Sequence, residues 1–309
     1  MKYAAVFPGQ GSQRPGMGKE IFDSSEAARH VFTVVSEALE KDIQKLCFET
    51  DEDTLRSTDN AQVALFTVGV ATYEALREAG APAPVALAGH SVGEYAALAA
   101  AGCLTVSDGA QLVAKRGDLM ARSGSLRKGG MAAVLGMEDD ALEAVCAAIS
   151  REGHAVVPAN FNSPGQIVIS GDEAAVMEAC ERAKEAGAKR CIPLNVSGAF
   201  HSPLMHEAAQ SMAQALGNVA FAESTIPVVA NVTAQPEHDW KRLLEEQLRA
   251  PVRWTASVRA MREMGVDTFV ECGPGDVLTG LLRRIDGEAQ GVAVSSADAV
   301  KVAAEAVSV

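Results

Sequence analysis

Residues 85–102 read VALAGHSVGEYAALAAAG, and the rest of the chain is placed relative to the point where this stretch changes character. Its first four residues form a short apolar run. From Ser91 onward the alanine-rich pattern is helical, so a strand turns sharply into a helix near Gly89, His90 and Ser91. Gly89 and Gly93 bracket Ser91 two residues to either side, where a side chain would block a tight turn or the close approach of neighbouring backbone. A serine there stands exposed at the carboxyl end of a strand, beside a helix N-terminus whose free N–H groups and positive dipole end favour an oxyanion. This is the nucleophile-elbow pattern. Gly-x-Ser-x-Gly also arises by chance in loops, and the strand before it with the helix after it gives the motif its weight.

The chain has 309 residues and 48% hydrophobic content, enough for a large core in one domain or in one domain with an insertion. No apolar run reaches membrane-spanning length, and the amino-terminal apolar segment is too short for a signal peptide, so the expectation is a cytoplasmic protein. Six cysteines are scattered without Cys-x-x-Cys spacing, so reduced, mostly buried thiols are expected rather than disulfides or a metal site. A formal net charge of −13 argues against non-specific binding to nucleic acid or anionic membrane, since both polyanions would be repelled.

Residues 2–7 read as a first strand, followed by the irregular loop PGQGSQRPGMG at 8–18. That loop has neither the dinucleotide-binding spacing nor a Gly-Lys-Ser/Thr ending, so a phosphate loop is rejected. What remains is a run of backbone N–H groups able to supply half of an oxyanion hole, or a mobile surface turn. Helices are expected from Ser24 or Ser25 to about Lys41, over 61–79, and from Thr105 or Ser107 onward. Strands feeding helices imply an α/β fold with the elbow strand inside a parallel sheet.

SGSLRKGG at 123–130 has linker composition. Beyond it run an apolar segment (131–135), a helix (139–151), two apolar segments (155–159 and 166–170) around a turn at 162–165, a helix (173–186) and a last apolar segment (191–196). That is the β-α-β-β-α-β order of a ferredoxin-like unit. The expected fold is a large α/β-hydrolase-like subdomain with a parallel-sheet core, residues 1–128 and 197–309, carrying an inserted ferredoxin-like small subdomain, 129–196. A cleft between the two is the natural place for a ligand. After the insertion come SGAFHSPLM at 197–205 leading into a helix, a short strand at 227–230, helices at 239–248 and 251–264, a strand at 268–271, the turn CGPGD at 272–276 leading into a helix, and a terminal strand and helix.

A serine hydroxyl is a weak nucleophile and needs an adjacent base, for which histidine is the usual choice. Six histidines are present: His30, His90, His154, His201, His206 and His238. His90 adjoins Ser91, but neighbours on a tight turn point different ways. His201 lies in a loop at the mouth of the expected cleft, and the residues alone leave the choice open.

Seven segments then carry a family resemblance: FPGQGSQ at 7–13, the helix carrying Gln62, GHSVGEYAAL at 89–98, KRGDLM at 115–120, AFHSPLM at 199–205, EQLRAPVRW at 246–254 and ECGPG at 271–275. In this order, over nearly the whole chain, they resemble the malonyl-CoA:acyl carrier protein transacylases of type II fatty acid synthesis and are similar to polyketide synthase acyltransferase domains. The resemblance implies Ser91 as nucleophile and His201 as base, a dyad whose imidazole is oriented by the backbone carbonyl of Gln247. It implies an oxyanion hole from the N–H groups of Gln10 and Val92, and Gln62 lining the pocket. Arg116 would grip the malonyl carboxylate, a task suited to a planar two-pronged donor; the competing reading pairs Arg116 with Asp118. Phe200 resembles the bulky residue of malonyl-selective members. Asn160 and Asn162 match positions near the coenzyme A channel and read equally well as turn residues.

The implied reaction is ping-pong transfer from malonyl-CoA to an acyl carrier protein, without a metal or bound cofactor, by a monomer. Carrier proteins of this kind are acidic, which marks Lys189, Arg190, Arg283 and Arg284 as docking candidates against the reading of solvated surface charge. A trans-acting polyketide acyltransferase, a serine thioesterase with a carboxylate behind its histidine, and a non-catalytic carrier-binding module are the alternatives.

Overall fold

A computed structural model describes residues 2–308 except 127, 152 and 197. Among the described residues nine strands form two sheets: β1 (Tyr3–Phe7), β2 (Ala86–Gly89), β3 (Gly129–Leu135), β4 (Val156–Ser163), β5 (Gln166–Asp172), β6 (Arg190–Pro193), β7 (Val228–Val229), β8 (Thr268–Cys272) and β9 (Gln290–Val294). The first sheet has the order β7-β2-β1-β8-β9, all parallel. Its central strands are apolar on both faces, as a sheet covered by helices on both sides requires. Strand alternation divides the core accordingly. Tyr3, Ala5, Phe7 and Leu87 point to one side, against Phe66, Val70 and Tyr73 of the long Thr58–Glu78 helix. Ala4, Val6, Ala86 and Ala88 point to the other, against Trp254, Val258 and Leu278. Each fully buried aromatic or aliphatic side chain contributes about 1.5–3 kcal/mol by burial.

β1 lies between β2 and β8, so the connections leaving it and arriving beside it run to opposite sides. A crevice opens at such a point beyond the carboxyl ends of the strands. Three turns meet there: Gly9 after β1, the elbow after β2 and Gly273 after β8. They are pressed so close that a Cβ on Gly9 would lie 2.7 Å from the His90 carbonyl oxygen, and one on Gly273 2.8 Å from Pro8 Cγ.

The second sheet has the order β4-β5-β3-β6 and is antiparallel throughout, with the Asp139–Ile149 and Glu173–Glu185 helices packed on it. It is tied to the first body by backbone. Phe161 N–H donates to the Val252 carbonyl at 2.9 Å and Val252 N–H to the Ala159 carbonyl at 2.9 Å. That pairing holds Val252 extended, so the helix expected over 251–264 begins only at Trp254.

Other expectations also change. The linker composition at 123–130 does not form a linker through Leu126, because the Val106–Leu126 helix continues to that residue and β3 begins at Gly129. Residues 127 and 197, beside the expected boundaries, lie outside the described residues. β4 runs to Ser163, which places Asn162 on a strand rather than in a turn. Short helices at Lys19–Ser24, Ile43–Phe48 and Glu52–Arg56 carry too few periodic positions to be seen in advance. Cys180 and Cys191 form a disulfide, contrary to the expectation of six thiols. The chain reverses between the Glu173–Glu185 helix and β6 and brings their Cα atoms to 5.6 Å, within bridging reach. Cys47, Cys103, Cys146 and Cys272 are free and buried.

Candidate active site

Ser91 sits at the elbow with φ of 52°, a left-handed conformation that non-glycine residues rarely adopt. The bracketing glycines make the turn feasible. A Cβ on Gly89 would fall 1.9 Å from the Gly93 carbonyl carbon, and one on Gly93 2.2 Å from the Phe7 carbonyl oxygen.

The Ser91 hydroxyl donates to His201 Nε2 at 2.8 Å. His201, also left-handed with φ of 55°, donates from Nδ1 to the Gln247 carbonyl at 2.7 Å and more weakly to that of Ala250 at 3.2 Å. The two carbonyls set the tautomer and leave the Nε2 lone pair facing the serine. Burial, reinforced by the Arg116 charge, lowers the His201 pKa to about 3, so the ring is neutral and ready to accept a proton.

Arg116 approaches from the protein interior. Its Nη2 donates to Ser91 Oγ at 3.0 Å and to Gln247 Oε1 at 2.9 Å, and its Nη1 to Gln62 Oε1 at 2.7 Å. The guanidinium is 1% exposed, lies 5.7 Å from the Tyr95 ring centroid and leaves Nε unpaired. Asp118, the alternative partner, bonds Arg122 instead. An acid is reached only by relay: Gln247 Nε2 donates to Glu94 Oε2 at 2.5 Å and to the Ser91 carbonyl at 3.0 Å. Burial pushes the Glu94 pKa up to about 7, against the hydrogen bonds it accepts and the pull of Arg116. Burying a cation without a direct carboxylate is costly, and a site that does so is suited to receive one.

A cavity of about 570 Å³ opens in front of the dyad, lined among others by Gln10, His90, Met131, Asn160, Asn162 and Phe200. The N–H groups of Gln10 and Val92 have no acceptor among the described residues, in keeping with donors facing a developing oxyanion. Phe200 forms part of the wall and is 5% exposed. Gln62 does not: it is buried behind Arg116, donating to Met120 Sδ, so its place is as a brace rather than as cavity lining. Asn162 Oδ1 is taken by His90 Nε2 at 2.8 Å, while Asn160 faces the cavity. Among the described residues no group of three His, Cys, Asp or Glu side chains converges on a metal position, and no helix is long and apolar enough to cross a membrane.

The model of the acyl transferase domain family matches residues 5–302. A malonyl CoA-acyl carrier protein transacylase of Bacillus subtilis (strain 168) is 44% identical over 305 residues, 98% of this chain and 96% of the relative. The chain belongs to the malonyl-CoA:acyl carrier protein transacylase family of acyl transferases. A family member from Staphylococcus aureus (strain N315) is 38% identical over 97% of each chain. Among solved structures of the family, an acyl carrier protein S-malonyltransferase from Vibrio cholerae superposes with a TM-score of 0.95 at 40% identity, covering 98% of this chain and 100% of that one. A malonyl-transacylase solved in complex with its type II polyketide synthase acyl-carrier protein superposes at 0.94 with 38% identity, covering 99% and 100%. The α/β architecture with a parallel core and a separate antiparallel sheet is the family's.

Sequence reasoning missed two residues that the structure places beside Ser91, Glu94 and Asn231. Glu94 follows the elbow in the first turn of a helix and is 1% exposed, and a lone acid in GHSVGEYAAL gave the only advance sign of it. Asn231 follows the apolar run of β7 and is fully buried. Its Oδ1 accepts from Ser91 N–H at 2.8 Å and its Nδ2 donates to the Gly89 carbonyl at 2.6 Å. Nothing in a single polar residue after a short strand signals that geometry.

Proposed function

We propose that the chain transfers the malonyl group from malonyl-CoA to the phosphopantetheine thiol of an acyl carrier protein, through a malonyl ester on Ser91. One observation carries the reading: Ser91 Oγ lies within hydrogen-bond reach of both a neutral imidazole and a buried guanidinium that has no direct carboxylate partner among the described residues. The family relatives' names point the same way.

His201 Nε2 takes the Ser91 proton as Oγ attacks the thioester carbonyl. The N–H groups of Gln10 and Val92 face the resulting oxyanion, the C–S bond breaks, and the imidazolium gives its proton to the departing coenzyme A sulfur. In the second half the phosphopantetheine thiol loses its proton to His201, attacks the ester carbonyl and releases Ser91 Oγ, which recovers the proton. Arg116 holds the malonyl carboxylate through both halves, exchanging a glutamine or serine contact for it. The partner of His201 Nδ1 separates transfer from hydrolysis. A neutral carbonyl stabilises an imidazolium less than a carboxylate does, so a thiol, acidic and strongly nucleophilic, is served better than water.

The same reading has the chain divided into subdomains 1–128 with 197–309 and 129–196, working as a cytoplasmic monomer without a metal or bound cofactor. The exposed Lys189, Arg190, Arg283 and Arg284 would face the acidic carrier; Arg284 Nη1 reaches across to Gln166 Oε1 at 2.9 Å, beside the cavity. Charge reversal there should slow transfer to carrier protein while sparing Ser91 loading, and equal loss of both half-reactions would remove the docking idea.

Labelled malonyl-CoA tests the whole. Label retained on Ser91 and passed to phosphopantetheinylated carrier protein supports transfer. Prompt release as malonate supports hydrolysis, and absence of label supports a binding module.

A further inference from the structure

β7 pairs with β2 for only two residues, with Leu87 opposite Val228 and Ala88 opposite Val229. The Leu87 N–H donates to the Pro227 carbonyl, and a regular parallel ladder would continue to the Gly89 carbonyl and the Ser91 N–H. The main chain does not continue it. Ala230 turns away to bond Gln235 and Ala234; the Asn231 N–H goes to Glu94 Oε1 at 2.7 Å, and the Asn231 carbonyl accepts from Arg253 N–H at 3.0 Å. The carboxamide of Asn231 fills the vacant rung instead, accepting from Ser91 N–H and donating to the Gly89 carbonyl.

We propose that Asn231 is a positioning residue for the nucleophile: its side chain substitutes for a strand amide across the elbow and holds Ser91 in its left-handed turn. Gln247 Nε2 grips the Ser91 carbonyl from the other side, so both peptide groups of Ser91 are tied down by buried amides. A second consequence concerns the oxyanion. With its own N–H committed to Asn231, Ser91 contributes no donor, and Val92 and Gln10 supply the hole. The inference rests on Ser91 being the acylated nucleophile, as proposed above.

N231A and N231D separate this role from simple packing. Aspartate preserves the volume and the acceptor but, when ionised, cannot donate to the Gly89 carbonyl; once protonated it restores the donor-acceptor pair. Two reactions of the full-length chain are followed: malonyl loading from malonyl-CoA, and labelling of Ser91 by a fluorophosphonate, which needs no malonyl recognition. Misplacing the nucleophile by about 1 Å should slow both reactions about 100-fold in N231A, and in N231D at pH 8, with KM for malonyl-CoA little changed. The groups facing position 231 are Glu94, which accepts the residue's N–H, Arg253 at its carbonyl, and Arg116 and His201 beyond Gln247. Rates are therefore taken as the ratio of variant to parent at each pH, so that titrations shared by both chains cancel. That ratio should recover about tenfold or more for N231D between pH 8 and pH 5.5, and stay flat for N231A.

A parental rate in N231A, or a loss in N231A confined to KM, would overturn the inference. A parent chain that reacts with the fluorophosphonate but never takes malonyl would overturn the proposed function and leave this role intact. A parent that takes malonyl beside an equally active N231A would do the opposite.

Discussion

Arg116 Nη2 lies 3.0 Å from Ser91 Oγ, so a permanent cation and the candidate nucleophile share a hydrogen bond before any substrate arrives. The guanidinium is held by two glutamine side-chain oxygens rather than by an acid, and those neutral acceptors are ones a carboxylate can displace.

Arg116→Ala should therefore lose loading from malonyl-CoA selectively. Two charge-assisted hydrogen bonds at about 1.5–3 kcal/mol each predict a loss of about 100-fold or more, whereas loading from acetyl-CoA, which has no carboxylate to grip, should change little or improve. Parallel single-turnover loading with the two donors measures the ratio. An equal loss with both would show that Arg116 serves the serine alone.

The pH profile of loading should lack an acid limb at the ordinary histidine value. Burial, and then the Arg116 charge, depress the His201 pKa to about 3, so the base stays unprotonated through the mildly acidic range. Arg116→Ala removes the second cause and should move the acid limb upward, towards neutrality. Loading rates between pH 4 and pH 8, normalised to folded protein, test both statements.

Stability should depend on pH through two buried groups of opposite sign. His201 is harder to protonate when folded; between about pH 3 and its unfolded value near 6.5 the unfolded chain binds more protons, so this residue makes stability rise with pH. Glu94 holds its proton up to about pH 7 when folded but only to about 4.5 when unfolded, so between those values it makes stability fall with pH. Glu94→Gln deletes the second effect. Its unfolding free energy should climb more steeply between pH 4.5 and 6.5 than the parent's, by up to about 1.4 kcal/mol per pH unit, in denaturant titrations at fixed ionic strength. Parallel curves would mean that Glu94 does not titrate in this range.

Phe200→Ala should relax acyl selectivity. Phe200 walls the cavity, and a clash of one methyl group against such a wall is worth about 1–3 kcal/mol. The ratio of malonyl to methylmalonyl loading should fall by about 10-fold to 100-fold. An unchanged ratio would place the discrimination elsewhere in the cavity.

Local chemistry made much of this legible from the chain alone. Gly-His-Ser-Val-Gly between an apolar run and a helical run dictates a strand, a sharp turn and a helix, because no residue larger than glycine fits at positions 89 and 93. The alternation of short apolar runs with helical patterns gave the parallel sheet, and the β-α-β-β-α-β order gave the antiparallel one. Ser25 marked a helix start because its hydroxyl takes the N–H of Ala28.

What the chain alone left open depended on groups far apart in sequence. Arg116 was expected to grip a substrate carboxylate, with a pairing to Asp118 two residues away as the lesser reading; only packing turns it inward to Ser91 and leaves Asp118 to Arg122. Gln62, expected in the pocket wall, became a brace because the helix bearing it runs behind the cavity. Cys180 and Cys191 met because a helix and a strand reverse upon one another. Asn231 lies 140 residues from the serine whose N–H it takes. Steric limits on neighbouring residues are written along the backbone, but the pairing of buried polar groups is settled only when distant segments are desolvated together and each donor must find whatever acceptor the packed interior has placed beside it.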